Sequence, residues 1–453
     1  MGSNKPQVTR RNLLFGSMGA AGLLSFGLPG AVRLAHAAST PSVTDRYFIF
    51  CYFSGGWDIL LGLDPRDPTT FPDELRNDTL IEPGYGNLRV DGVDPNPVQV
   101  GNTLFGPFIG GLRDWSDRLC VVRGMSMDTL THEVGRRRFL TGKPPSGLLA
   151  RGSSVSTVLS SLLGADHPIP QLSARVESYN VDQPAWSTAL RVDNVGDLVR
   201  ALRPGDVDVA VDERARIQAL LDEFRDCTVV TESVPLTNAT TAQRAARDLV
   251  AAELDALFDF GAPGMESLRD RFGIDANNLG SAQAQGAMAV TALTAGISRC
   301  VSIQVASGLD THFDNWETDQ GPAQQEGFDV VASMMEELES LEYQGTGTSW
   351  LDHTTIVGFS EFSRTPLLNG NSGRDHSLTN ACFLAGAGVQ PGVVGASTDV
   401  GMQPQPLDLA TGQPSTSGEI VRPEHILRAL LHGIGVDDDI DDLRVDPLTA
   451  ILA

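Results

Sequence analysis

The stretch RYFIFCYFSGGWD, residues 46–58, sets seven successive apolar side chains, Tyr47 to Phe53, directly against a Ser-Gly-Gly break. A run this short, apolar at every position instead of alternate ones, predicts a strand buried on both faces, as in sheets covered by helices. Four more stretches rich in Val, Ile, Phe and Cys read the same way: Arg118–Val122, Cys300–Val305, Thr354–Phe359 and Cys382–Leu384. Helical patterns fall between and after them, over Val155–Leu163, Asp212–Phe224, Ala242–Phe258, Ala282–Ser298, Gly327–Ser340 and Pro423–Gly433. Strands alternating with helices predict an α/β fold, a three-layer α/β/α sandwich around a mostly parallel central sheet.

Two regions depart from that rhythm. Residues 61–106, rich in Pro, Gly, Asp and Asn, predict a long irregular excursion, and 195–290, helix-rich and acidic, predicts an inserted helical subdomain able to serve as a lid. Residues 386–421 are again rich in Gly, Pro, Ser and Thr and read as loops. The acidic run at 437–442 lacks the Gly and terminal Glu of a calcium-binding EF-hand loop and reads as a solvated turn. Five cysteines without CxxC spacing indicate neither a disulfide framework nor a sulfur metal site.

At the other end, Arg10-Arg11 within TRRNLL precedes a Gly/Ala/Leu-rich run, and Ala35-His36-Ala37 offers a small-x-small cleavage site. Residues 1–37 therefore read as a twin-arginine signal peptide, with the twin-arginine translocation machinery as partner and a periplasmic or secreted destination. Cleavage removes Lys5, Arg10, Arg11 and Arg33 and no acidic residue, taking the formal charge from −24 to −28. So acidic a chain is a poor partner for nucleic acid or anionic membrane, and no later segment is apolar enough to predict a stable membrane span.

In a parallel sheet the ligand site lies beyond the carboxyl ends of the strands, so polar residues just after each strand carry the functional signal. Asp58 follows Gly55-Gly56 after the first strand. Asp310 and His312 follow Cys300–Val305, two apart, which in extended backbone projects both to one side. Glu361 and Arg364 follow Thr354–Phe359, and a Gly-rich loop delivers Asp375-His376 before the strand at Cys382. Oxygen and imidazole donors recurring at four strand ends, with no thiolate among them, suit Zn, Mn, Mg or Ca.

Together the twin-arginine leader, the GGWD turn (55–58), THEVGRRRFLTG (131–142), DTHFDNW (310–316) and FSEFSRTPLLNGNSGRDHS (359–377) resemble the secreted bacterial family catalogued as domain of unknown function 1501. That family is grouped with the alkaline phosphatase and sulfatase superfamily. The resemblance implies one alkaline phosphatase-like domain over 38–453, with a metal site at the strand ends. It places Asp58 at a metal-binding aspartate, and it aligns LTGKP (140–144) with the end of the sulfatase signature. His132 then stands at the nucleophile position and Arg136 at the signature arginine. His132 cannot mature to formylglycine, which speaks against ordinary sulfatase chemistry and leaves nucleophile, general base or metal ligand open. Asp310 and His312 resemble an Asp/His pair spaced two apart instead of four. Glu361 and Phe362 replace an Asp-His dipeptide, and His376 resembles a late histidine.

The resulting expectation is an exported metal-dependent hydrolase of a phosphate- or sulfate-type ester, either a small molecule or a polysaccharide. Asp58, Asp310, His312, Glu361, Asp375 and His376 would hold one or two divalent cations (Zn, Mn, Ca or Mg). His132 would be nucleophile or base, and Arg136 and Arg364 would neutralise developing charge. Two other readings stand beside it: a non-catalytic secreted binding or assembly protein that kept the fold, favoured by the altered positions His132 and Phe362, and a phosphate-group transferase or mutase.

Overall fold

The structure, a computed structural model, describes residues 45–144, 149–203, 252–440 and 442–453, with isolated positions between 213 and 249. The leader, Cys227, the Asp212–Phe224 pattern and most of Ala242–Phe258 lie wholly or largely outside the described residues. In chain order the described strands are β1 (Tyr47–Phe53), β2 (Val98–Val100), β3 (Thr103–Phe105), β4 (Leu119–Ser126), β5 (Gln171–Ala174), β6 (Leu190–Val192), β7 (Cys300–Ala306), β8 (Thr354–Phe359), β9 (Ser363–Arg364), β10 (His376–Ser377), β11 (Thr379–Gly386) and β12 (Gly392–Val394). The longer helices are α1 (His132–Thr141), α2 (Val155–Leu163), α3 (Val195–Leu202), α4 (Glu266–Phe272), α5 (Ala282–Thr294), α6 (Gln320–Ser340) and α7 (Pro423–His432).

Eight strands form one sheet in the order β12-β4-β11-β8-β1-β7-β5-β6. Every neighbouring pair is parallel except the two made by β11, which runs against both β4 and β8. Side-chain alternation divides each apolar strand between two layers. Tyr47, Ile49, Cys51 and Phe53 of β1 join the cluster containing α3, α5 and α6, whereas Phe48, Phe50 and Tyr52 join the cluster containing α1, α2 and α7. Burial on both faces is why the strand signal is a solid apolar run and why the fold is a three-layer α/β/α sandwich.

All five strands expected from the sequence are present, and β8 has the expected limits. The three-residue strands β6 and β12 and the four-residue β5, with Gln and Ser inside it, are too short or too polar to stand out by pattern. Helix α6 starts seven residues earlier than its apolar periodicity suggests, because Pro322 is tolerated in a first turn. Of the expected insertion at 195–290, the described ends α3 and α5 pack into the same apolar cluster as α6. Cys51, Cys120, Cys300 and Cys382 are buried free thiols inside strands, small apolar fillers as their surroundings predict. No helix among the described residues is long and apolar enough to cross a membrane.

Phe53 closes the carboxyl end of β1 against Trp57, Phe328 and Phe383, with ring centroids 5.0, 4.8 and 6.3 Å away. Phe53→Ala is expected to lower unfolding free energy by about 3–5 kcal/mol, the cost of an aromatic deletion in a packed core, read from urea denaturation. A loss under about 1 kcal/mol would show that this corner of the sheet is loosely packed.

Candidate metal centre

Strands β1, β7 and β8 end at one edge of the sheet, and β11, running the other way, begins there. The edge therefore collects the segments after β1, β7 and β8 and the segment before β11, which carries His376. Strand β4 also ends at this edge, with Ser126 opposite Thr379, and leads to α1 and His132. Three glycines let these segments meet backbone to backbone. A Cβ on Gly55, whose φ is +116°, would lie 2.8 Å from the amide nitrogens of Leu309 and Asp310. One on Gly373 would lie 2.2 Å from the carbonyl carbon of His312, and one on Gly135 would lie 2.4 Å from the carbonyl oxygen of Glu361. No other residue type fits those approaches.

Asp310 is the centre of the arrangement. Its Oδ1 lies 3.0 Å from His312 Nε2, 3.3 Å from His376 Nε2 and 2.7 Å from Arg364 Nη2, while Oδ2 lies 3.4 Å from His132 Nε2. One donor atom each from His132, Asp310 and His376 falls within 4.8 Å of the others, and His312 Nε2 closes on His376 Nε2 at 3.0 Å. Phe362, fully buried, floors the group, with its ring 4.8 Å from His132 and 4.1 Å from His376. Burial opposes ionisation of Asp310, but the hydrogen bond and the charge of the Arg364 guanidinium outweigh it and hold the carboxyl at about 2.

The proton positions are fixed by partners that have no choice. His376 Nδ1 donates to the Leu130 carbonyl at 2.7 Å, and a carbonyl only accepts, so the neutral ring has a bare Nε2. His312 Nδ1 donates to Asp375 Oδ1 at 2.9 Å, which leaves the neutral ring with a bare Nε2 between Arg364 Nη1 at 3.4 Å and the Asp310 carboxylate at 3.0 Å. His132 Nδ1 donates to Glu361 Oε1 at 2.7 Å. All three imidazoles thus anchor Nδ1 on an acceptor and turn a bare Nε2 inward, the second-shell pattern of metal-binding histidines. Two bare nitrogens 3.0 Å apart repel each other unless the lone pair of one of them is taken up by a cation. A proton on His376 is the weaker candidate, because burial first of all, and then the charges of Arg364 and His132, keep that ring below the usual histidine range despite its bond to Leu130 and the nearby Asp310 carboxylate. Formal charge points the same way: three carboxylates, Asp310, Glu361 and Asp375, face one guanidinium, Arg364, leaving two negative charges for a divalent ion to cancel. The residues present fit a divalent metal.

The other residues expected at the site are placed differently. Asp58 is buried and fully engaged: Oδ1 accepts from the Leu60 amide, and Oδ2 lies 2.8 Å from Trp316 Nε1 and 3.0 Å from Arg374 Nε. It caps a turn and neutralises a buried arginine, so it is not among the converging donors. Glu361 is 1% exposed, with Oε1 shared by His132 and the Gly55 amide at 2.9 Å and Oε2 accepting from Ser360 at 3.0 Å. It holds His132 and does not join the group directly, and its bond is the main reason the His132 pKa is raised. Asp375 likewise turns to His312 and to Asn369 Nδ2, at 3.2 Å, and that bond to His312 lowers its own pKa. Arg136 forms a two-pronged ion pair with Glu177, one contact of which is 2.6 Å, and stacks on Tyr52; Arg364 is committed to backbone carbonyls and Asp310. Sequence reading missed Leu130, Asn369 and Glu177. Only Asn369, inside the Gly-rich loop already singled out, gave any signal.

The family profile described as "Protein of unknown function (DUF1501)" matches residues 46–411, and the chain belongs to that family. A solved structure described as a protein in the alkaline phosphatase superfamily from Vibrio parahaemolyticus is similar at 11% identity and a TM-score of 0.40, over 90% of this chain and 71% of that one. No curated protein matches.

Asp310→Ala and His376→Ala are each expected to weaken zinc binding by about 100-fold or more in calorimetric titration. Asp58→Ala should instead cost about 3–5 kcal/mol of stability, because it strands the buried charge of Arg374. An Asp58→Ala protein that melts normally but binds no zinc would overturn that division. Zinc affinity should also fall as pH drops through the imidazole range, since every ligand must be deprotonated to bind. His132, whose pKa Glu361 raises, should take up a proton before His376, whose pKa burial lowers.

Proposed function

Starting from that family membership, we propose that the chain is a metal-dependent hydrolase of an anionic phosphate- or sulfate-type ester, working on a single transition-metal ion. The observation that carries this reading is the convergence of bare Nε2 atoms with the Asp310 carboxylate at a solvent-reached rim. His132, Asp310 and His376 would hold the ion. Two imidazoles and a carboxylate suit zinc or manganese better than calcium or magnesium, which prefer all-oxygen shells. With Asp58 and Glu361 committed elsewhere, the donors support one ion and not two. When bound, such an ion supplies a hydroxide at neutral pH and polarises the ester oxygens.

His312 is the group placed to move the proton. Asp375 fixes its ring through Nδ1, and its bare Nε2 faces the cluster, the arrangement a general base needs. It takes the proton of the attacking water at Nε2, the hydroxyl adds to phosphorus or sulfur, and the departing ester oxygen receives the proton back. Among the described residues no hydroxyl side chain is hydrogen-bonded to His132, Asp310, His312 or His376, which favours direct attack by water over a covalent intermediate. Arg364 keeps Asp310 ionised and in place. The Arg10-Arg11 leader supports export by the twin-arginine route to the periplasm or beyond, and loading of the metal before export is part of the proposal.

Metal analysis of the exported protein should find about one transition-metal ion per chain, with turnover of bis(p-nitrophenyl) phosphate or of an aryl sulfate. His312→Ala should retain the metal while kcat falls by about 10²–10⁴-fold. Stoichiometric metal with no turnover across phosphomonoesters, phosphodiesters and sulfate esters would favour the non-catalytic binding protein instead.

A further inference from the structure

Resting on that reading of the rim as an ester site, we infer that the ester carries a single negative charge and an apolar substituent. The charge argument comes from the arginines around the centre. Arg364 is paired with Asp310 and four backbone carbonyls, Arg374 with Asp58, and Arg136 with Glu177, so each guanidinium is already neutralised within the protein. A divalent ion cancels the two surplus negative charges of Asp310, Glu361 and Asp375 against Arg364 and leaves no net positive charge for a dianion. A phosphomonoester or a polyanionic chain would bring a second charge with nothing to meet it, in a protein already strongly acidic.

The apolar argument comes from the segments that carry the ligands. Leu130, whose carbonyl holds His376, is 44% exposed; Phe313, directly after His312, is 60% exposed; and Leu378, two residues beyond His376, is 45% exposed. The first and third segments are tied together, since the Met127 amide donates to the Leu378 carbonyl at 2.8 Å. Three large apolar side chains are left in water within two residues of the centre's own groups, and they are what an alkyl or aryl group of the ester would cover. The occupant that fits both arguments is a monoanionic diester, or a sulfate monoester, with a hydrophobic arm.

The test uses the full zinc-loaded protein and three probes below their aggregation limits: dimethyl phosphate, methyl hexyl phosphate and, at pH 8, the dianion of hexyl phosphate. Calorimetric titration should show methyl hexyl phosphate binding about tenfold or more tighter than either of the others, since only it combines one charge with a buriable chain. The combined variant Phe313→Ser, Leu378→Ser should bind zinc and dimethyl phosphate as before and lose most of the preference for the hexyl chain. Equal affinity for the two diesters, or tighter binding of the dianion, overturns the inference, and the unaltered protein suffices for that comparison. Chain-dependent binding without hydrolysis would sustain it while sinking the hydrolase reading.

Discussion

One buried guanidinium ties the functional edge of this protein together. Arg364 is 2% exposed, and its donors reach the carbonyls of Gly55, Gly56, Leu309 and Arg374 as well as the carboxylate of Asp310. Those acceptors belong to the exits of β1 and β7 and to the loop before β10, so a single side chain fixes three strand-end segments relative to each other. Burying a charge costs several kcal/mol, and an arginine is tolerated there only because nearly every N–H finds an oxygen. Asp310 is the one formal counter-charge in that set. The same contact therefore holds the edge in shape and keeps the central carboxylate ionised throughout the pH range in which proteins work.

The second buried pair, Arg374 with Asp58, shows how the same residue types at equivalent strand ends take opposite roles. Asp58 is 1% exposed and meets Arg374, Trp316 and a backbone amide, whereas the Asp310 side chain is 49% exposed and faces imidazoles. Arg374 also stacks on Trp316, its guanidinium carbon 4.7 Å from the ring centroid, and donates to the carbonyls of Glu82 and Pro83. That network anchors the irregular 61–106 excursion to the loop carrying Asp375 and His376. The excursion is thus a structural brace for the site, held by these polar contacts together with its own buried apolar side chains, Leu61, Leu63, Phe71, Ile81, Tyr85 and Phe105.

Topology supplies the rest. Because β11 alone runs against its neighbours, a residue before a strand, His376, meets residues that follow strands, Asp310 and His312. Close backbone approach at Gly55, Gly135 and Gly373 then brings the imidazoles near enough for their nitrogens to compete for one space. Phe362, standing where the superfamily resemblance implied a histidine, contributes a ring surface against His132 and His376 instead of a ligand.

The amino-acid sequence by itself determined the layered α/β class, because its main strands, buried on two faces, read as nearly unbroken apolar runs, while helices with one buried face do not. It also picked out the segments that matter, since Gly-Gly-Trp-Asp, Asp-Thr-His, Ser-Glu-Phe and Arg-Asp-His follow or precede those strands within a few residues. What it did not determine is which carboxylates join the centre and which only support it. Asp58 and Asp310 look alike in the sequence, and so do Arg136 and Arg364 as sources of positive charge. Their roles diverge only because Arg374, Glu177 and the bare nitrogens of the histidines, remote along the chain, are brought beside one member of each pair and not the other. A side chain's protonation, charge balance and freedom to bind depend on neighbours set by tertiary packing, and no local spacing encodes them.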